Sequence, residues 1–238
     1  VAPADPTKVG YTFAGWKLAN GTVKSVSETV TNGCTNTYTG VYSGTSTSIQ
    51  AQWTPITYTI TYNLNEGTNP DGAPTSYTIE TNTITLPTPT RNGYTFGGWF
   101  TSSDLSGSAV TQIAKGSTGN KTYYAKWTPI TYTITYDLAG GTHGTTHPAS
   151  YNITTSTITV SDPTRNGYTF NGWTITTAPT AWGSGSSTSG AKSFKIATGT
   201  YGNIKLTARW TPNTITLNWD ENNGTAISNG SCTYDGNL

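Results

Sequence analysis

Few side chains in this sequence are equipped for chemistry. It has two cysteines, Cys34 and Cys232, two histidines, His143 and His147, and 11 carboxylates spread over 238 residues. Two thiols can form one disulfide. Two imidazoles four residues apart could share a metal if a helix placed them on one face. GGTHGTTHPAS at 140–150 is instead a glycine-rich loop with no cysteine or carboxylate cluster, so no metal site is read there. Two histidines leave a Ser-His-Asp triad almost no material. Asp220 and Glu221 are adjacent on an expected strand and therefore on opposite faces, which argues against a paired acid and base. Glu66, Asp71 and Asp137 stand in turn contexts, where Asp in particular bonds local backbone. The sequence reads as non-catalytic, with no cofactor and no metal. Asn20, Asn120, Asn152, Asn223 and Asn229 open N-x-S/T sequons, but a chain this rich in Asn and Thr produces such triplets by chance. Trp182 lies in a Gly/Ser-rich insert at 179–191 and belongs to no repeated position; it is read as packing on a neighbouring unit, with stacking on a sugar, a speculative ligand contact, as the alternative.

Composition narrows the classes further. Charged residues make up 10% of the chain, against roughly 25% in ordinary globular domains. Hydroxyls and amides must therefore wet the surface. A formal net charge of +1 gives no electrostatic footprint for nucleic acid or anionic lipid. No apolar run approaches the roughly 20 residues needed to cross a bilayer as a helix, and no signal segment is visible. The absence of Met leads to the expectation that the ends are internal to something larger.

The elements that must hold these residues are repeated. Gly-Tyr-Thr-Phe-x-Gly-Trp occurs at Gly10–Trp16, Gly93–Trp99 and Gly167–Trp173, and Trp-Thr-Pro at Trp53, Trp127 and Trp210. ITYTITY at 56–62 recurs letter for letter at 130–136, with TITLNW at 214–219 as a diverged copy. From Pro55, Pro129 and Pro212 a glycine follows at the same distance, at Gly67, Gly141 and Gly224. Matched spacing of independent markers identifies a repeat architecture. A full unit runs from ITYTITY through GYTFxGW to the next WTP. The expected domains are thus 1–54, the back half of a repeat; 55–128 and 129–211, complete repeats; and 212–238, the front half of another. Trp53 to Trp127 spans 74 residues and Trp127 to Trp210 spans 83; reading residue 1 as following residue 238 gives 81 for the remaining step. The two end segments are complementary halves, and Cys34 and Cys232 would lie 40 positions apart in the repeat they form together. A disulfide joining the halves, within a chain or between successive chains, would stabilise by about 4 kcal/mol in the chain-entropy model. The alternative is two unpaired thiols, which suit an oxidising exterior poorly.

ITYTITY alternates with period two, putting Ile56, Tyr58, Ile60 and Tyr62 on one face and threonines on the other. Further strands are expected near 76–79, 83–86, 123–127, 150–153, 157–160 and 204–210, and a bulge at the glycine pair beneath the GYTFxGW tryptophan. Helical signal is weak; the best candidate is a short turn at Ala109–Ala114. Units of about 80 residues are individually marginal. Tyr11, Phe13, Trp16, Tyr94, Phe96, Trp99, Tyr168, Phe170 and Trp173, with Trp53, Trp127 and Trp210, are therefore assigned to the repeat cores.

PTRNGYTFGGW at 89–99 and DPTRNGYTFNGW at 162–173, each followed by a closing YYAKW or LTARW, resemble the Listeria–Bacteroides repeat family of internalin B-type and other bacterial surface proteins. The resemblance implies a β-grasp-like fold in tandem arrays on secreted or cell-surface proteins, with adhesive or spacer roles and no catalytic residues. Trp219 departs from it, standing where Tyr62 and Tyr136 stand. The expectation is a mainly β chain of small β-grasp-like repeats with little helix, beads along one axis, working outside the cell. Its expected partners are copies of itself, head to tail in a filament or stalk, with a host surface protein or glycan as the alternative.

Overall fold

The computed structural model of the chain describes residues 5–18, 23–24, 49–219, 222, 224–225 and 228–234. Among them every regular element is a strand: β1 (Tyr11–Leu18), β2 (Val23–Lys24), β3 (Ile49–Pro55), β4 (Tyr58–Asn63), β5 (Ser76–Tyr77), β6 (Ile84–Thr85), β7 (Tyr94–Phe100), β8 (Gln112–Ile113), β9 (Lys121–Pro129), β10 (Tyr132–Asp137), β11 (Ser150–Tyr151), β12 (Ile158–Thr159), β13 (Tyr168–Thr177), β14 (Lys195–Ile196), β15 (Ile204–Pro212), β16 (Thr214–Leu217) and β17 (Gly230–Thr233). The protein is mainly β, built of several small sheets in tandem. It divides into two compact units, Val1–Thr90 with Phe96–Trp127, and Arg91–Thr95 with Thr128–Leu238.

The same sheet recurs in each unit. Its strand order is β5-β4-β9-β7 in the first and β11-β10-β15-β13 in the second. The opening strand pairs antiparallel with a short neighbour, Tyr58 opposite Tyr77 and Tyr132 opposite Tyr151. Its other edge takes the closing strand in parallel, Ile60 opposite Lys121 and Ile134 opposite Ile204. First and last strands are thus neighbours, so the sheet is complete only when the whole repeat is present. A two-stranded ribbon accompanies each sheet, β6 with β8 and β12 with β14.

Alternation explains which face is buried. Along β4 and β10, Ile60 and Ile134 are buried while the threonines between them face water. Ile60, Tyr77, Leu86, Trp99, Ile113, Tyr123 and Ala125 form one core. Ile134, Tyr151, Val160, Trp173, Phe194, Ile196 and Leu206 dominate the other. At each centre sits the GYTFxGW tryptophan. Trp99 packs on Tyr62 at 5.0 Å and Phe96 at 5.4 Å between ring centroids, and Trp173 on Tyr136 at 5.7 Å and Phe170 at 5.4 Å. Trp99 also donates its indole N–H to the Pro87 carbonyl at 2.7 Å. Beneath the tryptophan, Gly172 lies in the left-handed region at φ 103°, where the pairing of β13 with β15 shifts register between Phe170 and Trp173.

The structure corrects two sequence readings. Ala109–Ala114 is not a helical turn: Val110 donates its amide to the Trp99 carbonyl at 2.8 Å, and Ile113 pairs with Ile84. The ladder groups beside the core tryptophan need partners, and an extended segment supplies them where a turn could not. Ile56 does not continue the buried face of β4. It is 36% exposed and precedes the strand, where its amide serves another purpose described below.

Trp99 is 1% exposed and central to its core. Trp99→Ala should therefore cost about 3–5 kcal/mol, the usual range for deleting a buried large aromatic. A urea melt followed by near-ultraviolet circular dichroism checks this; a loss below about 1 kcal/mol would place the ring outside the cooperative core.

Candidate functional site: the seam of the repeat

Two recurrent devices join the strands that the sequence places far apart. The first closes the repeat. In WTP the tryptophan stands on the last strand, and its ring reaches the turn after the first strand. Trp127 donates its indole N–H to the Leu64 carbonyl at 2.8 Å, and Trp210 donates to Leu138 at 2.9 Å. The indole edge lies over Gly67 and Gly141. A Cβ on Gly141 would stand 2.6 Å from the Trp210 ring, and one on Gly67 would overlap Trp127 as closely. This close approach explains the glycine at fixed distance from Pro55 and Pro129. Phe96 and Phe170 back the closing rings at 5.4 Å.

Sequence reasoning missed a partner of this clamp. Asn120 and Asn203 stand at the start of the closing strands and accept the amides of Thr59 and Thr133, both at 3.0 Å. Their matching distance before Trp127 and Trp210 was the available signal.

The second device is a corner between consecutive repeats. The closing strand runs almost directly into the next opening strand. The amides of Ile56, Ile130 and Asn213 donate to the carbonyls of Gly10, Gly93 and Gly167 at 2.9, 2.9 and 2.8 Å. Those glycines have φ of 77°, 77° and 72°, and Ile79, Ile153 and Tyr234 occupy the space a Cβ would need. Above the corner a cation covers the tyrosine ring: Lys8 on Tyr11 at 3.9 Å, Arg91 on Tyr94 at 3.9 Å and Arg165 on Tyr168 at 3.7 Å.

The described residues of the end segments carry parts of the same devices. β1, β2 and β3 form a sheet in the order β2-β1-β3, leaving β3 at an edge. Trp53 is half-buried on β3 and packs on Phe13 at 5.6 Å. At the other end β16 and β17 form a two-stranded sheet, with Ile215 opposite Cys232. Here Leu217 is 43% exposed, whereas Ile60 and Ile134 at the same position are 5% and 3% exposed. Trp219 is 54% exposed, and Gly224, at the position of Gly67 and Gly141, is exposed.

The remaining candidates fall as follows. Cys232 is exposed on β17, at the position of Tyr77 and Tyr151; Cys34 lies outside the described residues, as do Asp220, Glu221, Asn20, Asn223 and the side chain of Trp16. His143 and His147 stack at 4.1 Å with 13° between their planes, and His143 meets the Tyr136 ring edge-on at 5.3 Å. Burial, then the neighbouring His147, holds the His143 imidazole below its ordinary pKa. Among the described residues no group of three or more His, Cys, Asp or Glu converges. Trp182 is half-buried, its ring 5.9 Å from Phe194 and against the second core. Burial raises the pKa of Tyr136, and burial with the nearby Tyr132 pushes Tyr151 up to about 12.

These shifts fix two pH limits. A phenol whose pKa is raised on folding contributes stability that is complete below its unfolded value near 10 and is lost as pH climbs through the folded value. An imidazole whose pKa is lowered contributes stability above its unfolded value that is lost as pH falls through the folded one. The second complete repeat should accordingly hold its stability at neutral pH, soften slightly in acid through His143, and unfold in base as Tyr151 approaches about 12. Phenolate absorbance followed with circular dichroism checks the basic limb, where Tyr136 and Tyr151 should ionise together with unfolding; free ionisation near 10 in the folded state contradicts it.

Comparison with known proteins places the chain. The Listeria-Bacteroides repeat domain model matches residues 1–43, 58–126 and 132–209. A Gly-rich membrane protein of Evansella cellulosilytica is 26% identical over 98% of this chain and 26% of its own length. Internalin H of Listeria monocytogenes is 34% identical over 67% of this chain and 28% of its own length. A second Evansella cellulosilytica membrane protein is 27% identical over 72% of this chain and 24% of its own. The chain thus spans about a quarter of the length of these relatives. No solved structure matches it. Among the described residues no helix is long and apolar enough to cross a membrane. On the repeated motifs, the recurring sheet and a match over most of its length, the chain belongs to the Listeria-Bacteroides repeat domain family of bacterial surface and membrane proteins.

Proposed function

We propose that this chain is a non-catalytic structural segment of the bacterial exterior, one period of a head-to-tail filament or of a long surface stalk. The observation that carries the reading is the corner, which appears three times with the same hydrogen bond and the same packed glycine. Repeats joined without a linker suit a spacer. The strand order, with the opening strand between its hairpin partner and the closing strand, supports a β-grasp-like reading in which, among the described residues, no helix is used. The relatives' names, an internalin and membrane proteins, support a place at the cell surface.

A disulfide between Cys34 and Cys232 fits the same reading. Tyr77 and Tyr151, which share the register position of Cys232, donate their hydroxyls to Gly119 and Gly202 of the back half of their own repeats. By that correspondence Cys232 would face the back half that completes its repeat. Oxidation by an external disulfide donor would remove two electrons and two protons from the pair. An adhesive role through Trp182 is the weaker reading, since that ring already packs on Phe194.

The cellular test is antibody labelling of intact cells against permeabilised ones. Labelling of intact cells, lost after brief surface proteolysis, is expected; a signal that needs permeabilisation overturns the surface role. Intact mass under denaturing, reducing conditions separates the two forms of the proposal. A species near 25.2 kDa means separate subunits, and a much larger one means a continuous stalk.

A further inference from the structure

We infer that each complete repeat is a tension-bearing module, its opening and closing strands forming a clamp that resists a pull on the two ends of the repeat. The inference deepens the stalk reading above, which supplies the reason for tension, and it draws on the two complete repeats alone.

The direction of loading follows from chain connectivity. β4 is the first strand of its repeat and β9 the last, and β10 and β15 stand likewise in the second. A pull on repeats joined in series enters each one through the start of its opening strand and leaves through the end of its closing strand. These two strands are neighbours and run parallel. Ile60–Asn63 lies alongside Lys121–Tyr124, and Ile134–Asp137 alongside Ile204–Thr207. In a parallel pair the start of one strand and the end of the other stand at opposite ends of the ladder. Tension then slides one strand along the other and loads every rung together. An antiparallel pair would have both loaded ends at one end of its ladder, and the same pull would open it rung by rung.

Side chains brace both ends of this ladder. Asn120 and Asn203 accept the amides of Thr59 and Thr133 at its start, both at 3.0 Å. The indoles of Trp127 and Trp210 hold its far end through the carbonyls of Leu64 and Leu138. The inner side of the ladder is dry, with Ile60 and Tyr123 buried in the first repeat and Ile134, Ile204 and Leu206 in the second. A strained rung there has no water to bond with until the strands have moved. The closing strand is also held on its other edge, by β7 or β13. The opening strand has only a two-residue neighbour on its far edge, β5 or β11, so it is the strand that slides out when the clamp fails. Forced unfolding is governed by the unfolding rate rather than by equilibrium stability. A small repeat of modest stability can therefore carry load.

The test is single-molecule stretching of the whole chain, with Cys34→Ser and Cys232→Ser and attachment points at its two ends. Trp53 to Trp127 spans 74 residues and Trp127 to Trp210 spans 83. At about 3.5 Å per residue, release of one repeat lengthens the chain by about 26 nm and of the other by about 29 nm. Two all-or-none steps of these lengths are expected. Moving the attachment points to Thr133→Cys and Lys205→Cys, exposed positions at one end of the β10–β15 ladder, makes that ladder open rung by rung. The second repeat should then yield at no more than about half the force. Trp210→Phe keeps an aromatic ring and removes the indole N–H. It should lower the force of the longer step and leave the shorter one, in the same molecule, unchanged. If Trp210→Phe fails to fold, the two pulling directions of the parent still decide. Equal forces in the two directions overturn the inference, as do repeats that lengthen gradually under end pulling, or a Trp210→Phe chain whose two steps keep their parental forces. None of these results bears on the surface role, which the cell-labelling experiment reads separately.

Discussion

The contact on which the rest depends is the closing tryptophan laid over the turn glycine. An indole N–H at 2.8–2.9 Å from a leucine carbonyl ties the last strand of a repeat to the end of its first. The partners lie 63 and 72 residues apart along the chain, and loop closure over such a length is costly before any contact rewards it. The clamp, the parallel pairing beside it and the asparagine at the start of the closing strand supply that reward together. The core tryptophan then has walls on every side. Among the described residues no closing strand pairs with β16, and there Leu217 and Trp219 are 43% and 54% exposed.

A chain with so few charges cannot rely on ion pairs. Its repeats are held by rings, threonine-lined ladders and backbone bonds, and Lys8, Arg91 and Arg165 lie over tyrosine faces at the corners. The corners transfer the same economy from one repeat to the next. The glycine carbonyl accepts the first amide of the following repeat, and the missing Cβ admits a side chain from that repeat. Tyr234 replaces isoleucine at the third corner and meets Tyr168 edge-on at 5.5 Å, so the device tolerates an aromatic in that seat.

Much of this was legible in the residues. Period-two alternation located β4 and β10, the repeated markers located the closing strands, and the glycine pair located the bulge near Trp173. What escaped was tertiary. Nothing local in AVTQIA at Ala109–Ala114 says that a neighbouring ladder will demand extended backbone there. Asn120 read as part of a sequon, and only the fold shows its side chain accepting the Thr59 amide. The corner glycines were visible as glycines, but their partners lie in the next repeat, at Ile79 and Ile153, where no marker points. Ile56 was placed on the face of Ile60 by its position in an alternating run, yet the strand begins at Tyr58, and the corner takes the Ile56 amide and leaves its side chain 36% exposed.

The central claim is that the opening strand of a repeat is finished by the closing strand of the same repeat, held there by the closing indole. Amide hydrogen exchange of 58–63 and 132–137, compared between the parent chain and Trp127→Ala, tests it most directly. The account predicts that loss of the Trp127 indole speeds exchange in 58–63 and leaves 132–137 as protected as before. Exchange of 58–63 at the parent rate in Trp127→Ala would contradict it.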